Sequence, residues 1–469
     1  MNGSLTSGHT SLRLSHGVVA ALGLLFASAG LAAGSLQAQA RDYDSTRPFG
    51  TLREQNRVQQ VWLEDRLETN LPLLMRKHGV DMWVVTMREY NEDPVFRALV
   101  SATTFAARRR TIYIFYDRGP EEGVERLALG GTSQGGAYEA VRATVQSADG
   151  RQAELWGKDQ WDLFARMVRE RDPQRIAVNI SREINFSDGL TAGEWEQMEE
   201  ALGDLSGRVV REPLLALDYL AMRVAGMTPT YRHMQAIVHE IIGTAFSNAV
   251  IEPGKTTTED VVWWMRQRVH ALGLGSWFQP SVSIQRRGVD MSDEMDPVIL
   301  RGDVLHCDFG IVNMGMTTDT QHMAYVLLEG EVSAPAGLEK ALANANRLQD
   351  ILLEETKVGR SGNEILASVL NIMRIEDLDG TMYTHPIGDH GHGAGPLIGL
   401  WDYQDGVPGR GDPLVIPSMW FSTELQVTTP VPEWDGQRVR MALEEEAEVT
   451  AEGEMRWLLR QQTELHLVH

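Results

Sequence analysis

From Val61 to Glu212, apolar runs of strand length alternate with segments of helix length, a pattern that restricts the chain to helices packed on a sheet. Asp81–Met87, Thr111–Tyr116 and Arg175–Ile180 read as buried strands, and Arg66–His78 as a helix. This half has no dense cluster of histidines or acids at ligand spacing, so its expected role is structural, or contact between subunits. At 469 residues the chain is too long for one ordinary core, and two domains are expected.

The second half has a different texture. Glu212–Arg223 reads as a linking segment, and Thr230–Ala249 as an amphipathic helix that stops before Glu252-Pro253-Gly254. Thr256 and Glu259 offer a capping box for a helix over Val261–Leu272, whose stripe Trp263, Trp264 and Met265 is expected in the core. Beyond Gly273 the pattern is one of short strands and turns, with helices over Gly337–Lys357 and Gly362–Ile375. That makes the second domain α+β. The single cysteine, Cys307, excludes an internal disulfide and reads as a small buried hydrophobe, so core packing must supply the stability.

A net charge of −22 gives no basic footprint for nucleic acid. Glu444-Glu445-Glu446 reads, as most charge runs do, as a solvated face. Residues 1–40 have the form of a secretory signal peptide: Arg13, the apolar stretch Gly17–Ala33, and the small-x-small site Ala38-Gln39-Ala40. A periplasmic or secreted protein with no stable membrane insertion after cleavage is expected.

Five residues read together as a ligand set for paired divalent ions: Asp308, Asp319, His392, Glu424 and Glu444. The first two stand eleven residues apart in LHCDFGIVNMGMTTDTQ, on a strand and its returning partner, so both can face one cavity. His392 lies in the glycine-rich run HPIGDHGHGAG, where His390 is a rival for the imidazole position. Glu424 and Glu444 close the strand-like runs WFSTEL and RVRMALE. Four carboxylates and one imidazole form a hard, oxygen-rich set, suited to manganese, with cobalt and zinc as further candidates. Gathering that much negative charge without cations would be prohibitively unfavourable. Two such ions would activate a shared water, and Glu424 would carry the proton to the leaving amine.

The order of these motifs, Asp-x-Gly, Thr-Asp-Thr, Gly-His-Gly-x-Gly, Thr-Glu and a Glu six residues before Thr450, resembles the pita-bread metallopeptidases. That family includes aminopeptidase P, prolidase, methionine aminopeptidase and the metal-free creatinase. Ile251–Thr256 and Pro213–Arg223 are similar to its helix-linking turn and interdomain stretch. The resemblance implies an α/β, creatinase-like N-terminal domain over residues 41–215 and a pita-bread catalytic domain over residues 225–460. It implies Asp319 and Glu444 as bridging ligands, with Glu445 as the fallback for Glu444, and Glu424 as ligand and proton shuttle. It also implies a homodimer and an Xaa-Pro peptidase-like activity on short peptides or another small amide.

The chain departs from the family where histidines orient the substrate. Gln285–Leu300 has none, Trp401-Asp402 replaces a His-acid pair, and His322 stands where Arg is common. His385, His390, His306 and His322 are the candidate stand-ins, with His385 and His390 taken beside Glu424 as the catalytic set. The departures keep open two alternatives, a dinuclear hydrolase of another amide or a phosphoester, and a non-catalytic binding protein.

Overall fold

The strand-length runs of the first half pair into one mixed sheet. The computed structural model describes residues 47–141, 144–146, 149–150, 152–154, 156–292 and 294–469. In it, β1 (Met82–Arg88), β2 (Arg110–Asp117), β3 (Val124–Leu129), β4 (Glu139–Val141), β5 (Ile176–Val178) and β6 (Val209–Arg211) lie in the order β4-β3-β2-β1-β5-β6. β1 runs antiparallel to β2, with Val84 opposite Ile114, and parallel to β5, with Val84 opposite Val178.

Successive β1 residues enter two different cores. Met82 and Val84 pack with Ile112 and Ile114 beneath α1 (Lys158–Arg171) and α2 (Ala192–Leu202). Trp83 and Val85 pack with Tyr113 and Phe115 into the larger core, which also takes Leu217 and Tyr219 of α3 (Pro213–Ala221). Burial on both faces explains why the central runs are apolar throughout instead of alternating. Arg66–His78, expected as one helix, is a π turn over Arg66–Asn70 continued by an α-helix over Leu71–Lys77.

In the second half, α4 (Thr228–Ala245) ends four residues earlier than expected. The capping box before α5 (Thr258–Ala271) falls one residue later than predicted. Thr257 accepts from the Asp260 N–H, and the Asp260 carboxylate accepts from the Thr257 N–H. The Thr256 hydroxyl is already committed, accepting from Glu252 N (2.9 Å) to close the preceding turn. Of the expected core stripe only Met265 is buried. Trp263 is 55% exposed and donates to Glu259 one turn earlier, which lets its indole remain at the surface.

The strand-rich half is built on β7 (Ser281–Gln285), β8 (Val304–Phe309) and β9 (Thr320–Val326). Two helices close to the predicted spans follow, α6 (Ala336–Glu355) and α7 (Gly362–Ile375), packed against each other. β10 (Gly380–Met382), β11 (His385–Pro386), β12 (Trp420–Ser422), β13 (Leu425–Val431), β14 (Gln437–Leu443), β15 (Glu446–Val449), β16 (Met455–Trp457) and β17 (His466–Val468) follow. They form three small sheets, β17-β9-β8-β7, β10-β13-β14 and β11-β12-β15-β16, and a bridge between Gln321 and Glu444 links the first to the end of the second. Cys307 is fully buried in β8.

Residues 56–469 make one compact unit. In the described part of the preceding residues, Glu54 accepts from the Thr51 N–H (2.8 Å). The candidate leader, residues 1–40, lies outside the described residues. Among those described, no helix is long and apolar enough to cross a membrane.

Candidate metal centre

The three small sheets bring their strand ends together, and four acids meet there. β8 and β9 pair antiparallel with Asp308 opposite Gln321, and Asp319 immediately precedes β9. Glu444 follows β14 and exchanges both backbone hydrogen bonds with Gln321 (3.1 and 3.2 Å). Glu424 sits between β12 and β13. One oxygen each from Asp308, Asp319 and Glu444 lie within 4.8 Å of one another. A second set within the same limit is His385, Glu424 and Glu444, and a third is Asp319, His385 and His392. Asp319 and Glu444 each belong to two of these sets, and each has two carboxylate oxygens with which to serve two neighbouring ions.

His385 supplies the central imidazole. β11 pairs with β12, His385 opposite Ser422, and holds the ring fully buried. Its Nδ1 lies 3.0 Å from the Pro386 carbonyl, so the proton belongs on Nδ1 and the Nε2 lone pair faces the acids. Nε2 is 3.2 Å from Glu444, 3.8 Å from Asp319 and 4.0 Å from Glu424. His392 stands at the edge of this group, its ring against His385 (4.9 Å between centroids), Trp277 and Tyr383. His390 is not brought to the acids; its ring packs on Phe186. His306 is one step removed, its Nε2 2.8 Å from the Gln321 side-chain oxygen.

The run Glu444-Glu445-Glu446, expected as a solvated face, is 1% exposed at each position. Strand alternation divides its duties. Glu444 joins the acid cluster, while Glu445 turns to the opposite side and bonds His239 and His322. Glu446 accepts from the Asp319 N–H (3.0 Å) and so fixes that ligand's backbone. A run of charges stays buried because each carboxylate has its own partners.

Among the described residues no lysine or arginine side chain pairs with the acids of the cluster. Burial, then the neighbouring Glu444, pushes Asp308 up to about 7. The same causes push Glu424 up to about 10. Asp319 is raised well above the ordinary carboxylate range by burial, then by Glu444 and Asp308. Burial lowers His392 to about 4, keeping it neutral. Asp308 Oδ1, Asp319 Oδ1, Glu444 Oε1 and His385 Nε2 are buried with no hydrogen-bond partner among the described residues. Buried acceptors of this kind are rarely left unpaired, and all four belong to one cluster. The donor set therefore fits divalent cations, which would satisfy the lone pairs and reverse the upward shifts.

Three organising residues were missed by the sequence reading. Gln321 donates to Glu424 (2.6 Å) and Glu444 (2.7 Å), holding both carboxylates from one amide. It lies two residues beyond Asp319, a spacing that could have placed it on the same face. Arg66 and Arg223 both pair with half-buried Asp389 (3.0 Å each) and anchor the glycine-rich run. Arg223 also fills the space that a Gly388 side chain would need, at 2.2 Å, while Gly391 lies equally close to Trp277. No local sequence signal pairs residues so far apart.

The cluster opens into a cavity of about 340 Å3 lined by His306, Asp308, Trp401, Glu424, Gln426 and Arg440 among others. Arg440 donates to Gln426 (3.0 Å) and has no carboxylate partner among the described residues.

No family model matches the chain, and no curated protein matches it in sequence. Solved structures do match its fold. An X-Pro aminopeptidase from Thermotoga maritima aligns with TM-score 0.56 and 16% identity, covering 84% of this chain and 100% of that one. An Xaa-Pro dipeptidase from Bacillus anthracis aligns with TM-score 0.54 and 17% identity, covering 87% and 99%. The N-terminal domain of FACT complex subunit SPT16 from chickpea aligns with TM-score 0.54 and 10% identity, covering 87% and 99%. The chain thus has the pita-bread peptidase fold over most of its length.

Proposed function

We propose that this chain is an exported, homodimeric, metal-dependent hydrolase that cleaves an amide bond at the end of a short peptide, with Xaa-Pro peptidase-like activity. The observation that carries the reading is the gathering in one cluster of four buried ligand atoms, from Asp308, Asp319, Glu444 and His385, that have no hydrogen-bond partner among the described residues. Those residues and Glu424 would hold two divalent ions, which lower the pKa of a shared water and polarise a carbonyl when bound.

The chain's own groups supply the remaining chemistry. Glu424 reaches the cavity and is fixed by Gln321, so it can accept a proton and return it to the leaving amine. Gln321 is in turn held by neutral His306, kept near 4 by burial and Arg440. Tyr383, His392 and Trp401 form an aromatic wall beside the acids. Arg440 provides the cationic end of the cavity and would take the carboxylate of a dipeptide.

Trp401 lines the cavity where the sequence resemblance led us to expect a His-acid pair, and this favours, as a second reading, a dinuclear hydrolase of another amide or a phosphoester. Elemental analysis and a panel of Xaa-Pro dipeptides, other dipeptides and phosphoesters test the choice. Turnover of dipeptides that depends on added metal is expected. Metal-bound protein that turns over only phosphoesters would select the second reading, and protein that binds no metal would remove both.

A further inference from the structure

We propose that His239, His322 and Glu445 form a separate site for a divalent ion of the zinc class, on the side of the Gln321–Glu444 bridge away from the acid cluster. Gln321 and Glu444 face each other across that bridge and direct their side chains to the acids. Their neighbours His322 and Glu445 point the other way, as successive residues of paired strands do. There they meet His239 from α4. One ligand atom from each of the three lies within 4.8 Å of the other two, and all three residues are buried.

The geometry is that of convergent donors. His239 Nε2 is 2.9 Å from one Glu445 oxygen, and His322 Nε2 is 2.8 Å from the other. The two rings stand nearly perpendicular (81°) at 4.7 Å, approaching the carboxylate from different directions. His466 of β17 completes the arrangement, its Nε2 3.0 Å from His322 Nδ1. An ion at His322 Nε2 requires the ring proton on Nδ1, where His466 stands to accept it. Outer partners of this kind orient ligating imidazoles.

The two clusters differ in chemistry. Two imidazoles and one carboxylate are a borderline set suited to zinc, with an open position. The acid cluster is richer in oxygen and suits harder ions. The inference stands apart from the proposed hydrolysis, because no residue is shared between the two ligand sets.

Chelator-stripped full-length protein carrying Asp308→Asn and Asp319→Asn, titrated with zinc and assayed by calorimetry and elemental analysis, tests the site. One zinc per chain is expected, lost when His239→Gln is added. Absence of zinc in the first variant, or its retention in the second, would overturn the inference. Wild-type protein gives an independent reading: saturated with manganese, it is expected to take up one further zinc per chain while keeping its manganese. Zinc that only displaces manganese would overturn the inference even if the variants failed to fold.

Discussion

His385, His390 and His392 lie within eight positions, and their residue type alone cannot say which of them meets the acids. The pairing of His385 with Ser422 and the bond from its Nδ1 to Pro386 settle the placement, and both depend on the folded sheet. The acids were legible because Asp308 and Asp319 stand on a strand and its returning partner while Glu424 and Glu444 close strand-like runs. The imidazoles were legible only in part: His392 falls in one of the convergent sets, but the place of His385 among the acids could not be read, since a glycine-rich loop has no period from which to read a face. His385→Ala should therefore lose bound metal and activity together. His392→Ala should keep its metal and His390→Ala should keep both, as read by elemental analysis beside dipeptide turnover. Gln321→Ala leaves Glu424 and Glu444 without their shared donor, and metal affinity should fall about 10- to 100-fold by calorimetry.

The raised carboxylates fix the sign of a pH effect at the same scale. Asp308 and Glu424 bind protons more tightly in the metal-free fold than in the unfolded chain, where they titrate near their ordinary values. Their contribution is complete below those ordinary values and is lost as pH rises through about 7 for Asp308 and toward about 10 for Glu424. The Tm of stripped protein should fall between pH 5 and pH 8, and saturating manganese should remove the fall. A metal-free Tm that rises across this range would contradict the buried acid cluster.

At the scale of elements, the helices over 336–355 and 362–375 were readable from their apolar periodicity, and in the second the structure adds a cap at Ser361. Ser361 accepts from the Glu364 N–H and Glu364 accepts from the Ser361 N–H, so Ser361→Ala should cost about 1 kcal/mol in urea unfolding while activity is kept. The Thr256–Thr258 run shows where local reading fails. Three adjacent hydroxyls offer alternative caps, and only the turn that consumes Thr256 selects Thr257. The run Glu444–Glu446 fails differently, because a charge run looks solvated unless the strands that bury it are known. In the glycine-rich segment, Gly391→Ala would strike Trp277, whose indole N–H holds the Thr318 carbonyl beside Asp319. A loss of about 1–3 kcal/mol in stability, with weakened metal binding, is expected.

For the whole molecule, the motifs foretold which acids belong together, but not the three sheets whose strand ends gather them. Strand order depends on contacts between distant residues, such as Gln321 with Glu444 and His239 with Glu445. Only the assembled fold places an oxygen-rich cluster on one side of that bridge and an imidazole cluster on the other. The same assembly leaves Arg440 facing the cavity without a carboxylate partner among the described residues. Arg440→Ala should raise KM for dipeptides about 10-fold or more with little change in kcat, if that guanidinium binds the substrate carboxylate.

The central claim is that Asp308, Asp319, His385, Glu424 and Glu444 hold a pair of cations. Anomalous diffraction from manganese-soaked crystals addresses it most directly. Two neighbouring peaks are expected, both within coordinating distance of Asp319 and Glu444. Crystals that show no peak among these side chains would contradict the claim.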